Sequence, residues 1–385
     1  MEKICRRISE IGTVVGGGTP STKNPDYWGG DIPWISPKDL TDYKSVYISK
    51  GENFLTEKGL KSGTRLLPKN TLLFSSRAPI GYVALAANPI CTNQGFKSIV
   101  CDEKQVVPLY LYYYMKANLD YIKLFGTGAT FPEISGKTMG KIKVEIFKSL
   151  DVQHRIASIL STYDTLIENN TKRIRLLEKM AENLYKEWFV RFRFPGHENV
   201  EMENGLPKGW SRGSLSDVCE FKRGKNITSS EMEEGNVPVI SAGLEPSGYH
   251  SCSNVRGVNV TMSSSGANAG YIAIHYSDIW AADCSYIKEA TTDNIYYVYE
   301  LLNNIRNVIN NFQRGAAQPH VYPKDVNRIK LILPSKELML KANGRLEIMH
   351  NEIYNFQKQN SLLARQRDLL LPRLMSGKLE VKVKE

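Results

Sequence analysis

The chain is written twice, and that constrains its fold more than any other feature. Ser75, Ser76, Gly81, Tyr82 and Ala84 fall on Ser264, Ser265, Gly270, Tyr271 and Ala273 at a constant offset of 189. Phe125, Gly128, Ala129, Pro132, Ile142 and Lys143 fall on Phe312, Gly315, Ala316, Pro319, Ile329 and Lys330 at an offset of 187. Tyr110, Tyr112 and Ile122 likewise match Tyr297, Tyr299 and Ile309, and Ile35-Ser36 pairs loosely with Ile240-Ser241. Each half therefore runs in the same order. Short alternating apolar runs with Gly, Ser and Asn turns predict strands. One amphipathic helix follows, at 109–125 or 295–312, then a Gly-Ala loop ending in Pro, one strand and a long helix. The helical spacing of the tyrosines points to core packing rather than to base stacking.

The long helices carry coiled-coil seams. Ile156, Leu160, Tyr163, Ile167, Asn170, Ile174, Leu177, Ala181, Leu184 and Trp188 alternate by 4 and 3, the heptad pattern. A seam of about 33 residues spans roughly 50 Å. Ala342, Leu346, Met349, Ile353, Phe356, Asn360, Leu363, Arg367 and Leu370 hold the same alternation, and Pro372 is expected to break or kink that helix. Asn170 and Asn360 fall on the seams, where an Asn either fixes register or reaches solvent at a ragged edge. A one-seam helix cannot bury its stripe alone, so the two should pair. A repeat with a pseudo-two-fold axis favours antiparallel pairing.

Composition excludes several classes. The 385 residues suffice for two or three domains, and 42% hydrophobic with 23% charged residues is ordinary for a globular chain. No apolar run is long enough to cross a membrane, and the start, MEKICRRISEIG, is unlike a secretory signal. Six scattered cysteines form no C-x-x-C pair, so reduced thiols are expected rather than disulfides or zinc. The net charge of +10 suits a polyanion partner, though charge alone is weak evidence. GHENVEMENGLPKGWSRGSL (196–215) is a polar connection leading to a restart near Leu206, with Trp210 as an aromatic anchor.

Six segments in this order carry a family resemblance: GGGTPSTKNPDYWGGDIPWISPKDL (16–40), SSRAPIGYVAL (75–85), QHRIASIL (153–160), NLYKEWFVRF (183–192), LPKGWSRGSLSDV (206–218) and LLLPRLMSGKLEV (369–381). Over nearly its whole length the chain resembles the specificity subunit of type I restriction-modification systems. The resemblance implies an α+β fold of two similar mixed α/β target-recognition domains, separated by two long antiparallel coiled-coil helices. The corresponding segments are 1–150 (first recognition domain), 151–194 (central spacer helix), 195–205 (linker), 206–335 (second recognition domain) and 336–385 (C-terminal spacer helix and tail). It further implies that each domain reads one part of a split site in double-stranded DNA. Two methyltransferase subunits would dock on the spacer, and endonuclease/translocase subunits would join. No cofactor is expected on this cytoplasmic chain; S-adenosylmethionine, ATP and magnesium belong to the partners. The second half departs in having EFKRGKNIT (220–228) and no GGTP-like segment.

DNA binding needs cations and loop amides for phosphates, and polar side chains for base edges. In the first half Lys23, Lys38, Ser75, Ser76, Arg77, Thr127, Thr130 and Lys137 are the candidates. In the second they are Lys222, Arg223, Lys225, Ser264, Ser265, Asn268, Arg314, Gln318 and Lys324. Gly16-Gly17-Gly18-Thr19 and Gly126-Thr127-Gly128 let backbone approach a ligand closely.

Catalytic signals are poor. Asn24-Pro25-Asp26-Tyr27 lacks the second Pro that an amino-methyltransferase motif needs. Ser135-Gly136-Lys137-Thr138 mimics the end of a phosphate loop, but Phe131 stands where that loop needs Gly. Asp26, Asp42 and Lys44 fit a loose nuclease pattern with no counterpart in the second half. Against the specificity reading stand two alternatives: a nuclease resting on those three residues, and a scaffold whose halves bind no DNA.

Overall fold

The computed structural model describes residues 2–128, 130, 132–315 and 319–382. The chain divides into two compact units, Met1–Asn170 with Gln359–Glu385, and Thr171–Lys358. Neither coincides with a sequence half, because each unit combines part of both long helices. These helices run Leu150–Tyr185 and Lys336–Ser376.

In the first unit, Lys3–Arg7 pairs antiparallel with Lys143–Phe147. A five-stranded sheet has the order Gly12–Gly16, Lys97–Cys101, Leu72–Ser76, Ile80–Ala86, Tyr47–Ile48. A second sheet sets Trp28–Ile35 between Asn53–Leu55 and Cys91–Thr92, the last pair being parallel. In the second unit, Lys222–Arg223, Cys284–Lys288, Asn259–Ser263 and Ile272–His275 repeat the first four strands of the large sheet. Gly248–His250, Val237–Ile240 and Trp280–Ala281 repeat the small one, again with a parallel pair. Ser211–Ser214 with Lys330–Leu333 repeats the terminal pair. The repeat read from the sequence is thus a repeat of strand order.

The tyrosine-rich segments are core. Tyr110, Tyr112, Tyr113, Tyr114, Tyr296 and Tyr297 are all buried, so their rings are not available to stack on bases. Each expected single helix is two: Pro108–Ala117 then Leu119–Lys123, and Ile295–Asn304 then Arg306–Asn310. Asn118 explains the first break, since its side-chain amide donates to the Tyr114 carbonyl and closes the helix locally.

The long helices run antiparallel within each unit. In the first, Arg367 pairs with Asp164, and Asn170 Nδ2 donates to Gln359 Oε1 at 3.3 Å. Asn170 is therefore a cross-helix register contact, not a solvated residue. In the second, the Arg173 guanidinium lies 5.5 Å from the Phe356 ring centroid and that of Arg345 lies 5.3 Å from Trp188. Of the two outcomes expected at Pro372, the break does not occur, since the helix continues to Ser376. The missing amide costs one hydrogen bond, and burial of Leu374 and Met375 in the first unit's core offsets it. The first long helix passes into a π-helical turn at Lys186–Val190. Beyond it Trp210 packs on Phe192 and Phe194, at 5.1 and 5.7 Å between centroids, anchoring the restart.

Asp164 is buried at a three-way junction. It accepts hydrogen bonds from the Tyr113 hydroxyl and from the Arg367 guanidinium. Burial, reinforced by the Asp164 charge and the hydrogen bond, pushes the Tyr113 phenol far above its ordinary range. In the second unit the corresponding junction is His350, with Tyr276 Oη at 2.8 Å and Glu300 Oε1 at 3.3 Å. Breaking a buried pair leaves one charge uncompensated. Asp164→Ala is expected to lower stability by about 3 kcal/mol, read from urea denaturation. The double variant Asp164→Ala/Arg367→Ala should recover part of that loss.

Candidate DNA interface

The same backbone frame closes one end of the large sheet in both units. In the first, Gly17 N donates to Phe96 O at 3.3 Å, Gly18 N to Thr92 O at 2.8 Å and Asn93 N to Ile35 O at 2.9 Å. In the second, Gly224 N donates to Cys284 O at 2.8 Å, Lys225 N to Ala281 O at 2.9 Å and Ala282 N to Ile240 O at 2.8 Å. A tryptophan seals each: Trp34 Nε1 donates to Gly18 O at 3.0 Å and Trp280 Nε1 to Lys225 O at 2.9 Å. Arg223-Gly224-Lys225 is therefore the counterpart of Gly16-Gly17-Gly18. The sequence alone hides this: Gly17 and Gly224 are 207 apart, whereas Thr92 and Ala281 are 189 apart, so the second half is 18 residues shorter between them.

Both glycines are required by close approach. A Cβ on Gly17 would sit 1.9 Å from Asn93 O, and one on Gly224 would sit 2.4 Å from Ala282 O. Neither backbone oxygen can move without breaking the frame.

The Gly-Ala loops are strapped to the same end. Thr127 and Glu133 exchange backbone hydrogen bonds, as do Arg314 and His320. Ile134 N donates to Ser76 O at 3.0 Å, and Val321 N to Ser264 O at 3.0 Å. Arg77 thus stands beside Glu133, 3.3 Å from it, and Lys97 reaches the other carboxylate oxygen at 3.1 Å. In the second unit Arg223 Nη2 lies 2.6 Å from Asp283 Oδ1, Ser265 donates to Asp283 Oδ2, and Arg314 pairs with Asp325 at 2.9 Å.

The candidate residues fall into two groups. Lys23, Lys38, Arg77, Thr127, Thr130 and Lys137 present exposed side chains in the first unit, as do Lys222, Arg223, Lys225, Arg314 and Lys324 in the second. Lys38 pairs with Glu52 at 3.0 Å. Lys137 lies on the short helix Gly136–Lys141, which Ser135 caps by accepting from Thr138 N. Ser75, Ser76, Ser264 and Ser265 are buried. Ser75 Oγ accepts from Gly81 N and Tyr82 N, and Ser76 donates to Gly95 O. Asn268 is half-buried, its amide 3.5 Å from Ala242 O. Gln318 lies outside the described residues. Glu133 and Asp283 are carboxylates, which a reading for cations and neutral donors passes over, and Lys97 lies on a strand away from the loops that reading singles out. The available signal for Glu133 was its place inside a repeated loop beside Pro132.

Among the described residues, the groups of the loose nuclease pattern are not brought together as a pair of carboxylates. Asp26 pairs with Lys58 at 3.4 Å, not with Asp42 or Lys44. No cluster of three or more His, Cys, Asp or Glu suited to a metal exists among the described residues. Burial pushes the Cys91 thiol up to about 11 and the Cys284 thiol up to about 12, so neither is a thiolate at neutral pH. No helix among the described residues is long and apolar enough to cross a membrane.

Each unit thus carries an arginine at a strand end built on one repeated backbone frame. The family model described as "Type I restriction modification DNA specificity domain" matches residues 3–179 and 207–361, and the chain belongs to that family. It is the non-catalytic subunit through which such a complex recognises its DNA target. Among its relatives, the type I restriction enzyme MjaIX specificity subunit of Methanocaldococcus jannaschii is 35% identical, the match covering 98% of this chain and 93% of that one. The putative type I specificity subunit S.MgeORF438P of Mycoplasma genitalium is 25% identical over 81% of this chain and 82% of its own. The crystal structure of a type I restriction-modification S subunit from M. genitalium shares the fold, with a TM-score of 0.68 at 20% identity, covering 97% and 96% of the two chains.

Gly17→Ala and Gly224→Ala are each expected to cost about 1–3 kcal/mol through overpacking. Each should abolish recognition of one half-site while leaving the other unit folded, which limited proteolysis and methylation mapping would check.

Proposed function

We propose that the strand end built on Gly17 reads one half of a split DNA sequence, and the strand end built on Gly224 the other. The observation that supports this reading is the repeated frame with different cations mounted on it. Arg77, Thr127, Thr130, Lys23, Lys38 and Lys137 serve the first half-site. Lys222, Arg223, Lys225, Arg314, Lys324 and the Asn268 region serve the second. Arginine suits either a bidentate grip on guanine or a phosphate, and the lysines suit phosphates.

The long helices are the docking element in this reading. Leu176 and Met180, one turn apart on the first helix, are mostly exposed, as is Ile348 on the second. A partner subunit seated on these helices would take such apolar side chains out of water. Two methyltransferase subunits would cover such faces, bringing S-adenosylmethionine, and endonuclease/translocase subunits would bring ATP and magnesium. The setting is cytoplasmic.

Adenine-methylation mapping of cells making the chain with its partner subunits tests the proposal. One split, gapped motif should vanish when the gene is removed. Arg77→Ala should relax recognition in one half of that motif and Arg314→Ala in the other; changes confined to the same half would contradict two independent readers. Affinity for DNA should also fall steeply with salt, roughly 0.9 log unit per log unit of salt for each phosphate contacted. A scaffold that binds no DNA gives no such slope.

A further inference from the structure

We propose that base specificity in each half is set by an arginine aimed by a tethered carboxylate: Arg77 by Glu133, and Arg223 by Asp283. This rests on the reading of the two strand ends as DNA readers.

The two carboxylates are built alike. One oxygen of each is held by a donor inside the fold and the other faces the arginine. Glu133 Oε1 takes Lys97 Nζ at 3.1 Å while Oε2 takes Arg77 Nη1 at 3.3 Å. Asp283 Oδ2 takes the buried Ser265 hydroxyl while Oδ1 takes Arg223 Nη2 at 2.6 Å. Lys97 is 15% exposed, against 39% for Arg77 and 45% for Arg223. The carboxylate is thus fixed from below and the guanidinium is presented from above.

Such half-exposed pairs add little to stability, and neither is needed to place its loop. Backbone hydrogen bonds do that, through Ile134 N to Ser76 O and Gly224 N to Cys284 O. What the carboxylate supplies is direction. A free surface arginine loses rotamer freedom when it binds a base edge, and its charge is drawn equally to any phosphate. An arginine already held by one Nη keeps its other N–H groups in a fixed plane for the guanine O6 and N7 acceptors. Asp283 neutralises Arg223, and Glu133 offsets one of the two charges of Arg77 and Lys97, so each site gains less from a phosphate than a free arginine would and presents an unmatched face to a wrong base, a negative element that sharpens discrimination.

The pairs also occupy different places on the shared frame. The counterpart of Arg77 is Gly266 and that of Glu133 is His320; the counterparts of Arg223 and Asp283 are Gly16 and Gln94. The first half aims its arginine from the end of the Leu72–Ser76 strand. The second aims it from the end of Lys222–Arg223. Two halves with one backbone would then read different sequences.

The test uses the full chain co-expressed with its partner subunits, with methylation mapping and with binding of the purified complex to the mapped site and to single-base variants across salt. Glu133→Gln should lower discrimination about tenfold or more in one half-site only, as expected for loss of one aimed bidentate contact. Its affinity for unrelated DNA should rise and its salt slope should be unchanged or steeper. Asp283→Asn should do the same in the other half. Arg77→Lys keeps the charge and decides the matter if Glu133→Gln fails to fold; it should broaden the half that Glu133→Gln broadens. An unchanged motif in these variants, broadening of both halves by one of them, or an equal loss of cognate and unrelated binding overturns the proposal. Absence of any split motif with the unaltered chain would instead defeat the two-reader function itself.

Discussion

The carboxylate of Asp164 is the contact on which the first unit depends. Three elements converge on it: the tyrosine helix through Tyr113, its own long helix, and the antiparallel helix through Arg367. An apolar seam alone tolerates slippage by one heptad, because every layer resembles the next. A buried charge does not slip, because an unpaired carboxylate in the interior is too costly. The second unit solves the same problem with different chemistry. His350 takes the central place, between Glu300 and Tyr276 and stacked on Tyr296 at 5.1 Å. The recognition sheets are thereby tied, within each unit, to a defined layer of the helix pair.

The second constraint is the close approach at Gly17 and Gly224. Chain leaving the large sheet has to pass against the carbonyls at the end of the small sheet, and only a residue without a side chain fits. The consequence is an ordered strand end on which loops of different length and charge can be mounted. The segments between the frame points differ in length, yet the hydrogen bonds that define the frame recur one for one.

Much of this was legible in the sequence. The repeat offsets found the paired strands and the Gly-Ala loops because those segments have equal length in both halves. The 4-3 spacing found the seams, and Trp210 was readable as an anchor. What escaped had physical causes. Arg223-Gly224-Lys225 shares only its central glycine with Gly16-Gly17-Gly18, since only that position is sterically forced. The break at Asn118 depends on a side chain closing its own helix. Pro372 is tolerated because the packing of Leu374 and Met375 outweighs one missing amide. The serines of both halves drew notice through their repetition, and the structure turns their hydroxyls inward.

That last point separates fold from recognition. Residues identical in both halves cannot be what distinguishes one half-site from the other. Ser75 and Ser264, Gly81 and Gly270, and Tyr82 and Tyr271 are identical, and the serines among them are buried and bonded within the fold. Among the positions that differ are Arg77 against Gly266, Arg223 against Gly16, Thr127 against Arg314 and Glu133 against His320, and they lie on the strand ends and loops. Repetition marks what the frame requires, and divergence on that frame marks where the two halves can differ in what they contact. Since exposed substitutions away from caps and close approaches change stability little, such a chain can exchange the side chains on these strand ends and loops without endangering the buried junctions that hold it together.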